Sequence, residues 1–228
     1  MLIEPPNLTS SDTTAFFTTR NFFDNNNTIK EVLVNNFNIS KDNIYLPVQK
    51  HTNKIHLLES NSEPEIADAV VTKRKNVFIG VLVADCVPVL LCDSNKGVIG
   101  AVHAGWRGTA KGILKNTIIA MQENFNCAAR DILIALGPSI RKCSYEVGRN
   151  VQSEVQRATG EGDYYSKRED RYFIDLSSAN KIQALMEGIS EDNIWQSDDC
   201  TFCNPHKYYS YRYSSGSTGR QGGFIGMW

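Results

Sequence analysis

The sequence predicts an α+β fold, a single domain spanning 1–228 with mixed β-sheets covered by helices. Three observations lead there. β-Branched and aliphatic runs crowd the stretch from Val77 to His103, and other segments repeat apolar residues at helical spacing. The two kinds of segment follow no strict strand–helix rhythm, which separates this chain from a doubly wound parallel fold.

Taken in order, Ile29, Leu33 and Phe37 share one helix face, with the polar run Asn25-Asn26-Asn27 as the expected cap. Ile44 to Val48 reads as a short strand leading into Gln49-Lys50-His51-Thr52. Val77 to Ala84 is apolar throughout, the pattern of a strand buried on both faces. Pro88 to Cys92 and Val98 to His103 flank the turn Asp93-Ser94-Asn95-Lys96-Gly97, which predicts a β-hairpin. Gly105 and Gly108 punctuate a loop before a helix whose stripe is Ile113, Thr117 and Met121, widened by Leu114 and Ile118. Asp131 to Leu136 is a strand stopped by Gly137-Pro138. Val147, Val151, Val155 and Ala158 repeat at helical spacing, as do Ile182, Leu185, Met186 and Ile189, with Asp175 or Ser177 as N-cap. Tyr208 to Tyr211 and Phe224 to Met227 are strand signals around the glycine-rich stretch Gly216 to Gly223.

Composition narrows the function classes. At 228 residues there is room for one sizeable core, and no Gly/Ser/Pro linker divides the chain. Hydrophobic residues at 41% and charged residues at 21% are globular usage and exclude a disordered or fibrous chain. The 24 basic residues against 25 acidic ones leave a net charge of −1, which speaks against a nucleic-acid partner. The longest apolar run is cut by Asp85, far short of the roughly 20 residues a membrane span needs. Met1 to Pro6 lacks the basic and apolar blocks of a secretion signal. The expectation is a soluble cytoplasmic protein without nucleic-acid or membrane partners; the oligomeric state stays open.

In a reducing compartment the six cysteines are buried apolar residues, metal ligands or nucleophiles rather than disulfides. Histidines number only four: His51, His56, His103 and His206. Cys86 ends one strand and His103 another about one hairpin later, so the two can face one pocket. Thiolate and imidazole suit a transition metal, or a cysteine nucleophile activated by histidine. The plainer alternative is that Cys86 is a small buried residue, but Asp85 beside it is costly inside an apolar run unless it is paired. Cys200 and Cys203 have the spacing of half a zinc knuckle without a second pair, and Cys92, Cys127 and Cys143 carry no pattern. His56 would face the other side of a continuing strand and reads as surface.

The strings Ala84-Asp85-Cys86-Val87-Pro88-Val89-Leu90-Leu91 and Ala101-Val102-His103-Ala104-Gly105-Trp106-Arg107-Gly108 carry a resemblance, joined by further motifs along most of the chain. These are Phe17-Thr18-Thr19-Arg20, Gln49-Lys50-His51, Ala67-Asp68-Ala69-Val70-Val71-Thr72, Gly137-Pro138-Ser139-Ile140 with Tyr145-Glu146-Val147, Cys200-Thr201-Phe202-Cys203, and Tyr209-Ser210-Tyr211-Arg212 with Thr218-Gly219-Arg220. Together they resemble the multicopper polyphenol oxidase (laccase-like) domain family, now described as zinc-dependent purine nucleoside phosphorylases with adenosine deaminase activity. The resemblance implies a metal site of His51, Cys86 and His103, with Arg20 belonging to the same catalytic site. It implies adenosine, inosine or methylthioadenosine plus inorganic phosphate as substrates. Where the family has Gly-Gly-Val-Ser after that arginine, this chain has Asn21-Phe22-Phe23-Asp24, and the following segment is shorter.

The residue chemistry agrees. Two imidazoles and one thiolate leave a fourth tetrahedral position open, the mark of a catalytic zinc site, and Asp85, Gln49 or Asp68 can orient the ligands. Arg20 and Arg107 offer planar charged forks suited to phosphate; Arg212 and Arg220 either line the pocket or pack a loop. A copper-dependent polyphenol oxidase is the alternative, with copper adventitious or native at the same triad, but four histidines leave too few for the further coppers of a laccase. A Cys–His hydrolase using Cys86 has no use for His51, and a non-catalytic zinc module has no use for an open coordination position.

Overall fold

The computed structural model describes residues 1–22, 28–60 and 63–228. The strands are β1 (Leu2–Ile3), β2 (Thr13–Thr18), β3 (Ile44–Tyr45), β4 (Ile55–Leu57), β5 (Ala69–Thr72), β6 (Val77–Val83) and β7 (Val87–Asp93). They continue with β8 (Val98–Ala104), β9 (Leu133–Leu136), β10 (Glu146–Val147), β11 (Tyr165–Arg168), β12 (Arg171–Ile174), β13 (Ile194–Gln196) and β14 (Gln221–Met227). The helices are α1 (Ile29–Phe37), α2 (Trp106–Ala110), α3 (Ile113–Phe125), α4 (Arg149–Thr159) and α5 (Leu176–Met186).

One sheet runs β13-β9-β7-β8-β5-β4, a second β1-β2-β14-β6-β3, and β10-β12-β11 form a small third. Both large sheets mix parallel and antiparallel pairs, which makes the fold α+β as predicted. Alternation along β7 shows how the layers stack. Val89 and Leu91 point to a core shared with Ile113, Leu114, Ile118 and Met121 of α3, Val155 of α4 and Ala184 of α5. Leu90 and Cys92 point the other way, to a core shared with Ile79, Val81 and Ile225 of the second sheet. Phe16, Phe78 and Phe224 cover that sheet's outer face beneath Leu33 of α1. The order is therefore helix, five-stranded sheet, six-stranded sheet, helices. Both sheet faces of β7 are dry, which is why its sequence is a continuous apolar run rather than an alternating one.

Several local expectations change. Helix α1 is capped by Thr28, whose hydroxyl accepts from Glu31 N while the Glu31 carboxylate accepts from Thr28 N; the Asn25–Asn27 cap lies outside the described residues. Only Ile44 and Tyr45 of the Ile44–Val48 segment form a strand, because Pro47 has no N–H for the ladder, and Val48 makes an isolated bridge to Ile66. Gly108 is not loop: Gly105 caps α2 and accepts from Thr109 N. Val147 belongs to β10, and α4 begins only at Arg149. In α5, Leu185 and Met186 face solvent, 36% and 62% exposed. Its buried face carries Asn180 and Gln183, whose amides donate to Thr109 and Thr159. A buried polar face whose amide N–H groups are taken up by hydrogen bonds is invisible to hydrophobic periodicity. Tyr208 to Tyr211 are irregular backbone between turns, not a strand: Tyr208 N reaches back to Asn204 O, and its hydroxyl donates to Asp199.

Candidate metal centre

Three chain segments meet at one end of the β7–β8 hairpin. The hairpin register pairs Pro88 with His103 and Val87 with Ala104, so Cys86 and Gly105 leave the two strands side by side. A Cβ on Gly105 would sit 3.0 Å from Cys86 Sγ and 3.1 Å from His51 Cδ2, so a side chain here would press on two of the three donor residues. His51 arrives from a separate loop in a left-handed conformation, φ 57°. Such a conformation is uncommon for a residue with a side chain and persists only where its surroundings hold it.

Asp68 does the holding. Its fully buried carboxylate accepts from the backbone N–H of Lys50, His51 and Thr52 and from the Thr52 hydroxyl, at 2.6–3.3 Å. It also accepts from His103 Nδ1 at 2.7 Å. One side chain thus fixes the loop that presents His51 and the ring orientation of His103. With Nδ1 engaged, His103 has Nε2 left for a ligand, the arrangement by which a carboxylate orients a metal-binding histidine. Burial alone would raise Asp68, but the His103 and Thr52 hydrogen bonds keep its carboxyl well below the usual range.

The ligating atoms of His51, Cys86 and His103 all lie within 4.8 Å of one another. Cys86 Sγ is 3.9 Å from His51 Nε2, and the two imidazole rings meet edge to face at 4.7 Å. Burial pushes the Cys86 thiol up, yet the charge and hydrogen bonds of His103 and His51 outweigh it and bring it down to about 6. Burial pushes His103 down, and Cys86 with Asp68 brings it up to about 9. These neighbours favour the thiolate, the form of sulfur that binds metal. Two imidazoles and one thiolate fit zinc(II) and also copper.

Of the other groups weighed as orienting residues, Gln49 pairs both ends of its amide with the backbone of Leu82 in β6. Asp85, at φ 84°, turns the chain between β6 and β7, and its carboxylate accepts from Thr201 Oγ1 at 2.6 Å and Arg212 N at 2.7 Å. The triad lines a cavity of about 670 Å³. Leu82, Ile140 and Leu176 give it apolar walls, Trp106, Tyr145 and Tyr211 give it aromatic ones, and Arg107, Arg212 and Arg220 bring charge. Burial pushes the Tyr145 phenol up to about 12, so it stays a neutral hydrogen-bond donor.

Arg107 stacks its guanidinium on the Trp106 ring at 4.3 Å. Arg20 stands apart from this set. Its backbone N–H donates to Lys207 O, its Nη1 to Pro205 O, and its guanidinium covers Tyr209 at 4.8 Å. The cavity lining does not include it. His56 is not a surface residue, since it stacks on Tyr45 at 5.1 Å with only 14% of its side chain exposed, away from the triad. The wall residue Tyr145 and the Thr201 support of Asp85 stood in quoted motifs, but their spacing alone gave no sign of these places.

The family model described as multi-copper polyphenol oxidoreductase laccase matches residues 18–228. A protein of Aquifex aeolicus named purine nucleoside phosphorylase is 40% identical over 173 residues, 75% of this chain and 77% of its own. One of the same name from Clostridium acetobutylicum is 39% identical over 191 residues, 83% of this chain and 78% of its own. The crystal structure of YlmD from Geobacillus stearothermophilus matches with a TM-score of 0.88 at 25% identity, covering 97% of this chain and 93% of that one. The chain belongs to the multi-copper polyphenol oxidoreductase laccase family.

Proposed function

We propose that this protein is a zinc-dependent purine nucleoside phosphorylase with adenosine deaminase side activity. The observation that carries the reading is a three-donor metal cup in the lining of a nucleoside-sized cavity that three arginines also line. The purine nucleoside phosphorylase names of relatives 39–40% identical support the same substrate class.

His51, Cys86 and His103 would hold the zinc, which supplies Lewis acidity for phosphorolysis and for attack of water at C6 of adenosine. The chain's own residues do the rest. Asp68 keeps His103 in one tautomer and His51 in its strained backbone, so the donors do not reorganise during turnover. Trp106, Tyr145 and Tyr211 offer faces for the purine ring, and the Tyr145 hydroxyl can donate to the base or ribose. Arg107, whose guanidinium is stacked on Trp106, receives inorganic phosphate, with Arg212 and Arg220, each also donating to backbone carbonyls, adding positive charge to the lining. Phosphate attacks the anomeric carbon as the bond to the base breaks, giving ribose 1-phosphate and free purine. Arg20 instead positions the 205–209 segment.

The histidine supply favours one metal here over a multicopper assembly. All four histidines are described, and only His51 and His103 reach the triad. Copper can still occupy the triad, since it outcompetes zinc at nitrogen and sulfur sites.

The test is product analysis with inosine and adenosine, using protein purified without copper. Free base and ribose 1-phosphate should appear only with phosphate present, and Cys86→Ala should abolish both zinc binding and turnover. Turnover of phenols with no base released from any nucleoside would restore the oxidase. Retention of zinc by an inactive Cys86→Ala would turn the argument toward a cysteine nucleophile.

A further inference from the structure

Cys143 lies 57 residues before the Cys200–Cys203 pair in sequence, and the fold brings the three together. Residues 139–145 and 197–204 run side by side through a parallel bridge between Ser139 and Cys200, and Thr201 N donates to Ser139 O at 3.1 Å. Arg141 clamps the pair from one side, with Nε on Asp175 at 2.7 Å and Nη1 on Ser197 O. Asn204 closes the turn after Cys200: its backbone and side-chain N–H groups both donate to Cys200 O, at 3.1 and 2.9 Å. That turn sets Cys200 and Cys203 on the same side, facing Cys143.

The three sulfurs lie within 4.8 Å of one another, and Cys143 Sγ is 3.6 Å from Cys203 Sγ. Two thiolates on a tetrahedral ion with metal–sulfur bonds of about 2.3 Å stand roughly 3.8 Å apart, whereas a disulfide requires about 2.05 Å. The Ser144 hydroxyl adjoins all three sulfurs, at 3.2 Å from Cys203, 3.4 Å from Cys143 and 4.0 Å from Cys200. Backbone bridges, the turn and the arginine clamp supply the preorganisation that a metal cup needs.

We propose that Cys143, Cys200 and Cys203 form a second metal site, a three-thiolate cup for a soft d¹⁰ cation, zinc(II) or copper(I). The site is separate from the His51–Cys86–His103 triad and does not depend on the reaction proposed above. Its place in the fold gives it a mechanical role. One of its segments continues into Tyr145 in the cavity wall, and the other carries Thr201, which supports Asp85 beside Cys86. A bound ion ties the two segments together outside the cavity lining.

The experiment is a metal count on reduced, demetallated full-length protein, reconstituted anaerobically with zinc(II) or, separately, copper(I), each against a competing chromophoric chelator. Wild type should take up about two ions per chain, and Cys143→Ser and Cys203→Ser about one each. His51→Ala should also take up about one, and Cys143→Ser with His51→Ala none. Cys143 and Cys203 are exposed, so the serines leave the fold intact, as circular dichroism can check. Substitution with cobalt(II) gives a second readout: Cys143→Ser should lose most of the sulfur-to-cobalt charge-transfer absorption, while His51→Ala keeps it. Serine variants that hold as much metal as wild type would overturn the proposal. So would a reduced wild type that binds one ion and loses it to His51→Ala, or a Cys143–Cys203 disulfide whose reduction opens no metal site.

Discussion

The two thiol-bearing clusters of this protein are built on opposite principles. In the first, mixed nitrogen and sulfur donors come from a strand hairpin and a loop, and one buried carboxylate orients two of the three. In the second, sulfur alone comes from two loop segments cross-linked through their backbones, with no carboxylate directing it. The first lines a cavity of about 670 Å³; the second stays outside that lining, with Cys143 two residues from the lining residue Tyr145. The contrast separates a site that must leave room for substrate from one whose work is to hold chain segments together.

The largest break in that comparison should come from Asp68→Asn. The amide can still accept hydrogen bonds, but it loses the charge that holds His103 and the 50–52 loop. Metal affinity at the histidine site should fall by about 10–100-fold, with the three-cysteine site unchanged, as metal titrations of both would read. Equal losses at both sites would mean that Asp68 supports the whole fold rather than one centre.

A smaller effect sharpens the cavity side. Arg107→Ala should raise KM for phosphate and lower kcat/KM by about 1.5–3 kcal/mol, the worth of a hydrogen bond to a charged group, with zinc retained. Arg107→Lys should recover only part, since it restores charge but not the planar fork. Arg20→Ala should leave KM for phosphate near wild type, because its guanidinium is already committed to Pro205 and Tyr209. The reverse ranking would return phosphate binding to Arg20.

The smallest effect concerns Asp199, on the sulfur side. Burial would raise its carboxyl, but Lys207 and Tyr208, at 2.6 and 2.5 Å, hold it below the usual range. A depressed folded-state pKa contributes stability above the unfolded value, and that stability is lost as pH falls through the folded one. Thermal melts of wild type should therefore weaken with acid more steeply than those of Asp199→Asn. Parallel acid limbs would show the pair to be energetically silent.

The hairpin and its donors were legible in sequence because they are local. A turn between two apolar runs fixes the register, and the register puts Cys86 beside Gly105, two residues after His103. The role of His51 was open only through the resemblance, since the bond that brings it in runs from a carboxylate 17 residues away. Cys143 was illegible, being 57 residues from Cys200 with nothing local to mark the meeting of their loops. Apolar periodicity misread α5, where hydrogen-bonded Asn180 and Gln183 take the buried positions. It misread Tyr208 to Tyr211 as well, where strand propensity yields to tertiary hydrogen bonds.

Asp85 and Cys86 are consecutive residues, and the Asp85 carboxylate grips Thr201 and the backbone of Arg212. The rim of the cavity and the sulfur in its lining are thus coupled through one peptide unit, like a door and the frame it hangs on. The segment that carries Arg212 and Arg220 and the segment that carries the metal-site thiol are therefore anchored through the same carboxylate. An Asp85→Asn or Asp85→Ala change would release both at once, so the lining and the centre share one support.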